Sequence, residues 1–311
     1  MTTLAIDFGG TRIKLGLLDG GDVLGAIELV PSDSPADLEA VRAVVAELSA
    51  ARLGGRDLPL DGVGIAVPGV VARGALLAAH DKYAWARGVD LAAWATDAFG
   101  ARAVVENDAR AALVGETAYG SAAGARDAVL VTLGTGIGTA ALMGGEPVRG
   151  RHGHAGILGG HITVELDGPA CNCGNTGCAE ALASTWALAR DVAADPALAA
   201  ALGAATAAGS GAAVGLKALF DHASDPVVAP VLGRYLRAWG AVAVAMCHAY
   251  DPDVVVLSGG VLRAADAIVP FIRDYVETHL WSSSHRPDFA VPTAPEHSVL
   301  RGLSALAAAA P

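Results

Sequence analysis

The sequence predicts an α/β protein of two domains whose halves share one design. The 311-residue chain is long enough for two ordinary domains. Apolar, strand-like runs closed by glycine turns alternate with stretches of helical periodicity. A segment near the N-terminus also recurs in mid-chain. GGTRIKLGLLDGG (9–21) aligns without gaps on LGTGIGTAALMGG (133–145), and six of the thirteen positions match, among them Gly10 with Gly134 and Thr11 with Thr135. Two hairpins of one pattern point to two related halves.

The elements follow in order. TLAIDF reads as a buried strand, GGT as a turn and RIKLGLL as the returning strand. DGGD turns again into VLGAIELV, which completes a three-stranded meander. PADLEAVRAVVAELSAARL has apolar residues at Leu38, Val41, Val44, Val45 and Leu48, the spacing of one helix face. DGVGIAVPGVV is a strand running into a Pro68-Gly69 turn, and ENDARAALVGETAYG a helix with Asn107 and Asp108 in its first turn. AVLVTLGTGIGTAALMGGEPV repeats the strand, glycine turn and strand. AWGAVAVAMCHAY (238–250) reads as a buried helix, and DPDVVVLSGGVL as a third strand and turn. The Gly- and Ala-rich stretch at 202–214 reads as a loop. The domain boundary falls near residue 118, giving an N-terminal α/β domain (1–118) and a larger C-terminal one (119–297). The last helix (298–311) is expected to pack back on the first.

Composition excludes some classes of function. Hydrophobic residues make up 53% of the chain, much of it alanine, so the core must come from the Val, Leu and Ile runs. A formal net charge of −11 argues against a sequence-independent grip on nucleic acid or an anionic membrane. The opening MTTLAIDFGG has no signal-peptide pattern, and the most apolar run, of 13 residues, is too short to span a bilayer. A soluble cytoplasmic protein is expected.

The glycine turns are candidate phosphate sites. In Gly9-Gly10-Thr11 and Gly134-Thr135-Gly136, followed by Gly138, glycines let an anion approach the backbone N–H groups and threonine adds a hydroxyl donor. Asp7, near the end of the first strand, suits a hydrated Mg²⁺ beside the phosphates. Ser258-Gly259-Gly260 is a third such turn. Each alone is equally a plain hairpin turn; together they point to a nucleoside triphosphate. Neither a Walker loop nor a Rossmann fingerprint is present.

The set IDFGGTRIK, ENDARAA, LVTLGTGIG, GHITVELDGPACNCGNTGCAE and SGGV, in that order, resembles the ROK family of sugar kinases and sugar-responsive repressors. The resemblance implies an actin-like, ribonuclease-H-like two-domain ATPase fold with ATP in an interdomain cleft. It implies a sugar hydroxyl as phosphoryl acceptor, a homodimer or homotetramer, and no nucleic-acid partner. The chain starts directly on its first strand, without the N-terminal helix-turn-helix of many ROK repressors, and so resembles the kinase branch.

Three of the four cysteines lie in CNCGNTGC (171–178), ten residues after His161. One imidazole and three thiolates can make a closed tetrahedral zinc site, expected at His161, Cys171, Cys173 and Cys178, with His152 or His154 as alternatives to His161. A Cys171–Cys173 disulfide would be strained, and a redox C-x-x-C is absent. The zinc set of the family agrees. Cys247, in the apolar helix, reads as a core residue. A structural zinc would fix the loop carrying His161 and Glu180, both candidates to meet sugar hydroxyls. Glu180 is otherwise an ordinary acid in a helix first turn.

A hydroxyl attacking phosphorus needs a proton acceptor. Asp108 suits that role, and equally suits helix capping, as does Asn107. The resemblance assigns Asp108 as the catalytic base and Asn107 as a sugar ligand; Gly69 joins the substrate set, and His80, in a region where many members have an asparagine, either meets the sugar or, with Asp81, caps the following turn. The sequence departs from the family at Ala155-Gly156-Ile157-Leu158-Gly159-Gly160-His161. Most kinases of the family there read A-G-E-x-G-H, with a glutamate at the anomeric end of the sugar. That glutamate is missing and one residue is added. The expected reaction is ATP-dependent phosphorylation of a hexose, at the 6-hydroxyl in the first instance. The alternatives are an N-acetylmannosamine or other amino-sugar kinase, or a non-catalytic sugar sensor.

Overall fold

The structure is a computed structural model that describes residues 1–53, 60–72, 74–78, 82–203 and 214–310. His80 and Asp81 lie outside the described residues, as does most of the stretch read as a loop at 202–214. The chain forms two compact units. One comprises Met1–Arg126, Gly144–Ala155 and Pro292–Pro311, the other Asp127–Met143 and Gly156–Val291.

In the first unit β1 (Thr2–Phe8), β2 (Ile13–Asp19) and β3 (Asp22–Leu29) form the expected meander. Helix α1 (Ala36–Leu53) turns Val41 and Val45 into the core, with Leu38 and Val44 packed beside them. Next come β4 (Gly62–Val67), the small hairpin β5 (Val70–Ala72) and β6 (Ala75–Ala78), and α2 (Leu91–Phe99). β7 (Ala103–Asn107) runs directly into α3 (Asp108–Tyr119). The sheet order is β3-β2-β1-β4-β7, with β1 antiparallel to β2 and parallel to β4, and β4 parallel to β7.

The second unit repeats this scheme. β8 (Ala128–Leu133) is antiparallel to β9 (Ile137–Met143); the two-residue strand β10 (Glu146–Pro147) belongs to segment 144–155. Among the described residues five helices follow: α4 (Ala179–Ala183), α5 (Thr185–Ala194), α6 (Pro196–Ala201), α7 (Lys217–Asp221) and α8 (Val228–Tyr250). β11 (Val254–Ser258), α9 (Ala265–His279) and β12 (Asp288–Ala290) complete it. β8 is parallel to β11, which is parallel to β12. The order β9-β8-β11-β12 thus matches β2-β1-β4-β7, strand for strand and direction for direction. The weak repeat in the sequence marks a duplicated sheet. The apolar run at 238–250 is the second half of α8, whose first half, VAPVLGRYLR, mixes polar and apolar residues. Among the described residues no helix is long and apolar enough to cross a membrane.

Helix α10 (Pro295–Ala309) lies in the first unit, against β1, β4 and α3. Leu300 and Leu303 are buried there with Ala5, Leu18, Ala66 and Ala111. Its contact with α3 is close enough to require glycine. A Cβ on Gly302 would stand 1.7 Å from the Ala111 carbonyl oxygen, and one on Gly115 2.0 Å from that of Ser298. With α10 covering one face of the sheet and α1 and α2 on the other, β1 is buried along nearly its whole length. This explains the continuous apolar run that predicted it.

Candidate functional site

Asp7 lies near the end of β1, opposite Lys14 of β2 in the strand register, and is 7% exposed. Burial pushes its carboxyl up to about 7, the Asp108 charge pushes the same way, and Lys14 opposes them. The two aspartates therefore lie close enough to feel one another. The turn that follows is held from a distant segment. The Tyr83 hydroxyl donates to the Gly9 carbonyl at 2.8 Å, and Lys82 donates to the Gly10 carbonyl. Gly10 itself faces open space, and Thr11 is exposed. The sequence reading missed the role of Lys82 and Tyr83, 72 and 74 residues away. Tyr83 has a detectable oddity only in the fold: it holds a left-handed backbone, φ 58°, with its N–H on Asp33.

At the junction of β7 and α3 the capping question has an answer. Asn107 is the N-cap, its Oδ1 accepting from the Arg110 N–H at 3.1 Å. Its Nδ2 donates to the Gly69 carbonyl at 3.0 Å and to Asp108 Oδ1 at 2.9 Å. Gly69, at φ 107°, turns that carbonyl toward Asn107. Asn107, not Asp108, therefore holds the N-cap position. Its Oδ1 also accepts from the Ala109 N–H at 2.8 Å. Burial raises its pKa, against the stabilising hydrogen bonds from Ala109, from its own N–H and from Asn107. Asn107, Asp108, Gly69 and Asp7 thus belong to one neighbourhood of the first unit.

Behind this junction stands a buried ionic cluster that the sequence reading passed over. Glu106, 4% exposed at its side chain, pairs with Arg110 at 3.1 Å and with Arg149 at 2.7 Å. Arg110, four residues on, is fully buried. A glutamate and an arginine four residues apart look like an ordinary surface pair, and only the fold shows them buried.

In the second unit the Gly134-Thr135-Gly136 turn joins β8 to β9. Gly134 donates its N–H to the Gly136 carbonyl at 3.0 Å, and Thr185 holds the Gly134 carbonyl through both its N–H (3.0 Å) and its hydroxyl (2.9 Å). Thr135 is exposed, and Gly138 pairs with Thr132 in the hairpin. Gly259 approaches the end of β8 so closely that a Cβ would stand 2.1 Å from the Leu133 carbonyl oxygen, whereas Gly260 faces open space. Glu180, buried in α4, accepts from the Ile137 N–H through Oε2 (2.9 Å) and from the Trp186 indole through Oε1 (3.2 Å). The sequence offered no sign of this tie to the glycine turn.

His161, Cys171, Cys173 and Cys178 converge, with one ligand atom from each lying within 4.8 Å of all the others. Cys171 Sγ is 3.6 Å from His161 Nδ1, and Cys173 Sγ is 3.7 Å from Cys178 Sγ. A tetrahedral ion with bonds of about 2.0–2.3 Å sets its ligands roughly 3.5–3.8 Å apart, so the set fits one metal ion. Burial raises the thiol pKa of Cys171 and pushes that of Cys178 up to about 12. At Cys173 burial also raises, but hydrogen bonds from the Asn175 N–H and from the other two thiols outweigh it and lower the value. All four cysteines are free. The loop closes at Gly177, φ 69°, where a Cβ would stand 1.6 Å from the Glu165 carbonyl oxygen.

The family model of the ROK family matches residues 3–310. The chain belongs to the ROK family. It is 29% identical to a glucokinase of Thermotoga maritima over 90% of this chain and 88% of that protein. To a glucokinase of Streptomyces coelicolor it is 30% identical over 92% and 90%. An N-acetylmannosamine kinase of Salmonella agona is 33% identical over 59% of this chain and 62% of its own. A crystal structure of a ROK glucokinase from Streptomyces griseus, in complex with glucose and AMPPNP, superposes with a TM-score of 0.78 at 30% identity, covering 100% of both chains. The two matched sheets are those of the actin-like ATPase fold of this ROK chain.

Proposed function

We propose that this ROK protein is an ATP-dependent sugar kinase that transfers the γ-phosphoryl group to a hexose hydroxyl, the 6-hydroxyl in the first instance, with Asp108 as general base. The observation that carries the assignment is the division of labour at the start of α3. Asn107 holds the N-cap position, and the Asp108 carboxylate is positioned by hydrogen bonds from Asn107 Nδ2, from the Ala109 N–H and from its own N–H. Its raised pKa makes it a better proton acceptor than an ordinary aspartate. The likeness to glucokinases, and to a ROK glucokinase with glucose and a nucleotide analogue bound, supports the reaction class.

In this reading Gly9, Gly10 and Thr11, and Gly134, Thr135, Gly136, Gly138, Gly259 and Gly260, serve the phosphates through backbone N–H groups and hydroxyls. Asp7 serves the hydrated Mg²⁺ that accompanies ATP, which neutralises charge on the phosphates. Asn107, Gly69, His161 and Glu180 serve the sugar. Asp108 aims the attacking hydroxyl and takes its proton as the P–O bond forms. A structural zinc held by His161, Cys171, Cys173 and Cys178 would have four protein ligands, which suits it to hold the loop rather than to act on the substrate. The thiolate ligand set supports a reducing, cytoplasmic setting. Family membership supports a homodimer or homotetramer.

Buried Ile157 stands in the segment where most kinases of the family have a glutamate, which favours an acceptor differing from glucose at the anomeric end. An N-acetylmannosamine or other amino sugar is the second reading. ADP release with Mg·ATP against glucose, mannose, fructose, allose, glucosamine, N-acetylglucosamine and N-acetylmannosamine tests both. Turnover with one sugar and a ³¹P signal of its phosphate ester are expected. ATP binding with no turnover on any of them would favour a sugar sensor.

A further inference from the structure

We propose that Arg110, Glu106 and Arg149 form a positioning unit for the sugar side of the site, an inference that rests on the kinase reading above. The cluster links the start of α3 to a distant loop. Arg110 is fully buried and spends its donors on one loop: Nε on the Val148 carbonyl at 3.0 Å, and Nη2 on those of Gly153 (2.6 Å) and Ala155 (2.8 Å). Nη1 donates to Glu106 Oε1 at 3.1 Å. The same carboxylate oxygen accepts the Asn107 backbone N–H at 2.9 Å, and its other oxygen accepts Arg149 Nε at 2.7 Å. One carboxylate thus ties the residue before the candidate base to loop 148–155, and two guanidinium groups complete the tie.

The loop needs holding. Gly150 and Gly153 both have positive φ, 64° and 81°, and a Cβ on Gly153 would stand 2.4 Å from the Val71 carbonyl oxygen. Its own backbone supplies a hydrogen bond of 3.2 Å between Ala155 and Arg149. Burying a guanidinium is costly unless its donors are used, and here they are used on Glu106 and on carbonyls of the loop that leads straight into segment 155–161. That segment contains the departure from the family's sugar-binding pattern and ends at His161. The cluster therefore fixes two things at once: the backbone of Asn107, beside Asp108, and the point at which the chain enters the sugar segment. Lysine cannot replace Arg110, because a point charge lacks the planar fork that reaches three carbonyls and a carboxylate.

The test is the kinetics of Arg110→Lys, Arg149→Met and Glu106→Gln beside the native chain, with sugar and ATP varied separately. A misplaced contact in a closed site can cost about 10–100-fold, so Arg110→Lys should raise the sugar KM about 10-fold or more and leave the ATP KM within about 2-fold. Arg149 is half-exposed, so Arg149→Met should fold and show the same bias more weakly. Amide exchange in 148–155 should quicken in each variant while that of 9–11 does not. A fall in Tm with both KM values unchanged, or an equal rise in both, would overturn the proposal and leave the cluster a scaffold. If Arg110→Lys does not fold, Arg149→Met and Glu106→Gln decide by the same criterion. A native chain that phosphorylates no sugar overturns the kinase reading and this inference with it; native turnover with unbiased variants overturns this inference alone.

Discussion

The backbone N–H of Ile137 donates to Glu180 Oε2 at 2.9 Å, joining the residue that closes the second glycine turn to a carboxylate two residues past Cys178. Gly136 leaves room for this: a Cβ there would lie 2.4 Å from the same oxygen. The cysteine loop and the turn are thus one mechanical piece within the second unit, and whatever fixes Glu180 also fixes the backbone proposed to meet phosphate.

Glu180→Ala should therefore weaken nucleotide binding even without sugar. A hydrogen bond to a charged group is worth about 1.5–3 kcal/mol, so affinity for a non-hydrolysable ATP analogue, measured by calorimetry in the absence of sugar, should fall about 10-fold or more. Unchanged affinity would confine Glu180 to the sugar.

Cys173→Ser should abolish tight zinc binding. Elemental analysis of the native protein should give about one zinc per chain, retained through gel filtration with a weak chelator, and none in the variant. Because Glu180 follows the loop, loss of the ion should also lower Tm. A folded native protein that purifies without zinc would remove the metal from the picture.

The two aspartates give a pH dependence with a definite sign. Asp108 must be ionised to accept a proton, and burial raises its pKa. The acid limb of kcat should accordingly lie above the usual aspartate value of about 3.9. Asp7 contributes to stability in the opposite sense to a salt-bridged acid. Its folded pKa, about 7, exceeds the ordinary value of 3.8, so the nucleotide-free protein loses stability as pH rises between those values and no more above them. Asp7→Asn should stabilise the protein at pH 8 by an amount on the order of 1–4 kcal/mol, seen as a higher Tm, and the gain should shrink at pH 5 and vanish only toward pH 4 and below. An equal change at both pH values would contradict a buried, ionising Asp7.

Gly302→Ala should be severely destabilising. Its new methyl would collide with the Ala111 carbonyl, backbone against backbone, and α10 could only move away from α3. Forcing a group into a packed core costs about 1–3 kcal/mol or more, visible as a fall in Tm by calorimetry. A neutral change would mean that this helix pair is not tightly docked.

The sequence discloses local chemistry well and distant partners poorly. The glycine turns, the Asn107–Asp108 junction and the metal set were legible because each is compact in sequence and needs particular residue types. The duplication showed as six matched positions because turns constrain sequence more than strands do. Arg110 was not legible: its partners are carbonyls at 148–155, and a backbone oxygen has no residue type. Tyr83 and Lys82 hold the first turn from more than 70 residues away for the same reason. The first unit gathers three separate segments, including 144–155, and no feature of composition marks that detour. Asn107 and Asp108 could not be ranked as caps from sequence, since both cap well; the hydrogen bond from Arg110 N–H to Asn107 decides it.

The most direct test of the central claim is sugar-dependent ADP release by the native chain and by Asp108→Asn, with nucleotide and sugar affinities measured for both. Removing a general base typically costs about 10²–10⁴-fold in rate. Turnover with at least one hexose, reduced by that factor in the variant while both ligands still bind, is the result expected. Native turnover that Asp108→Asn leaves intact would contradict the assignment of Asp108.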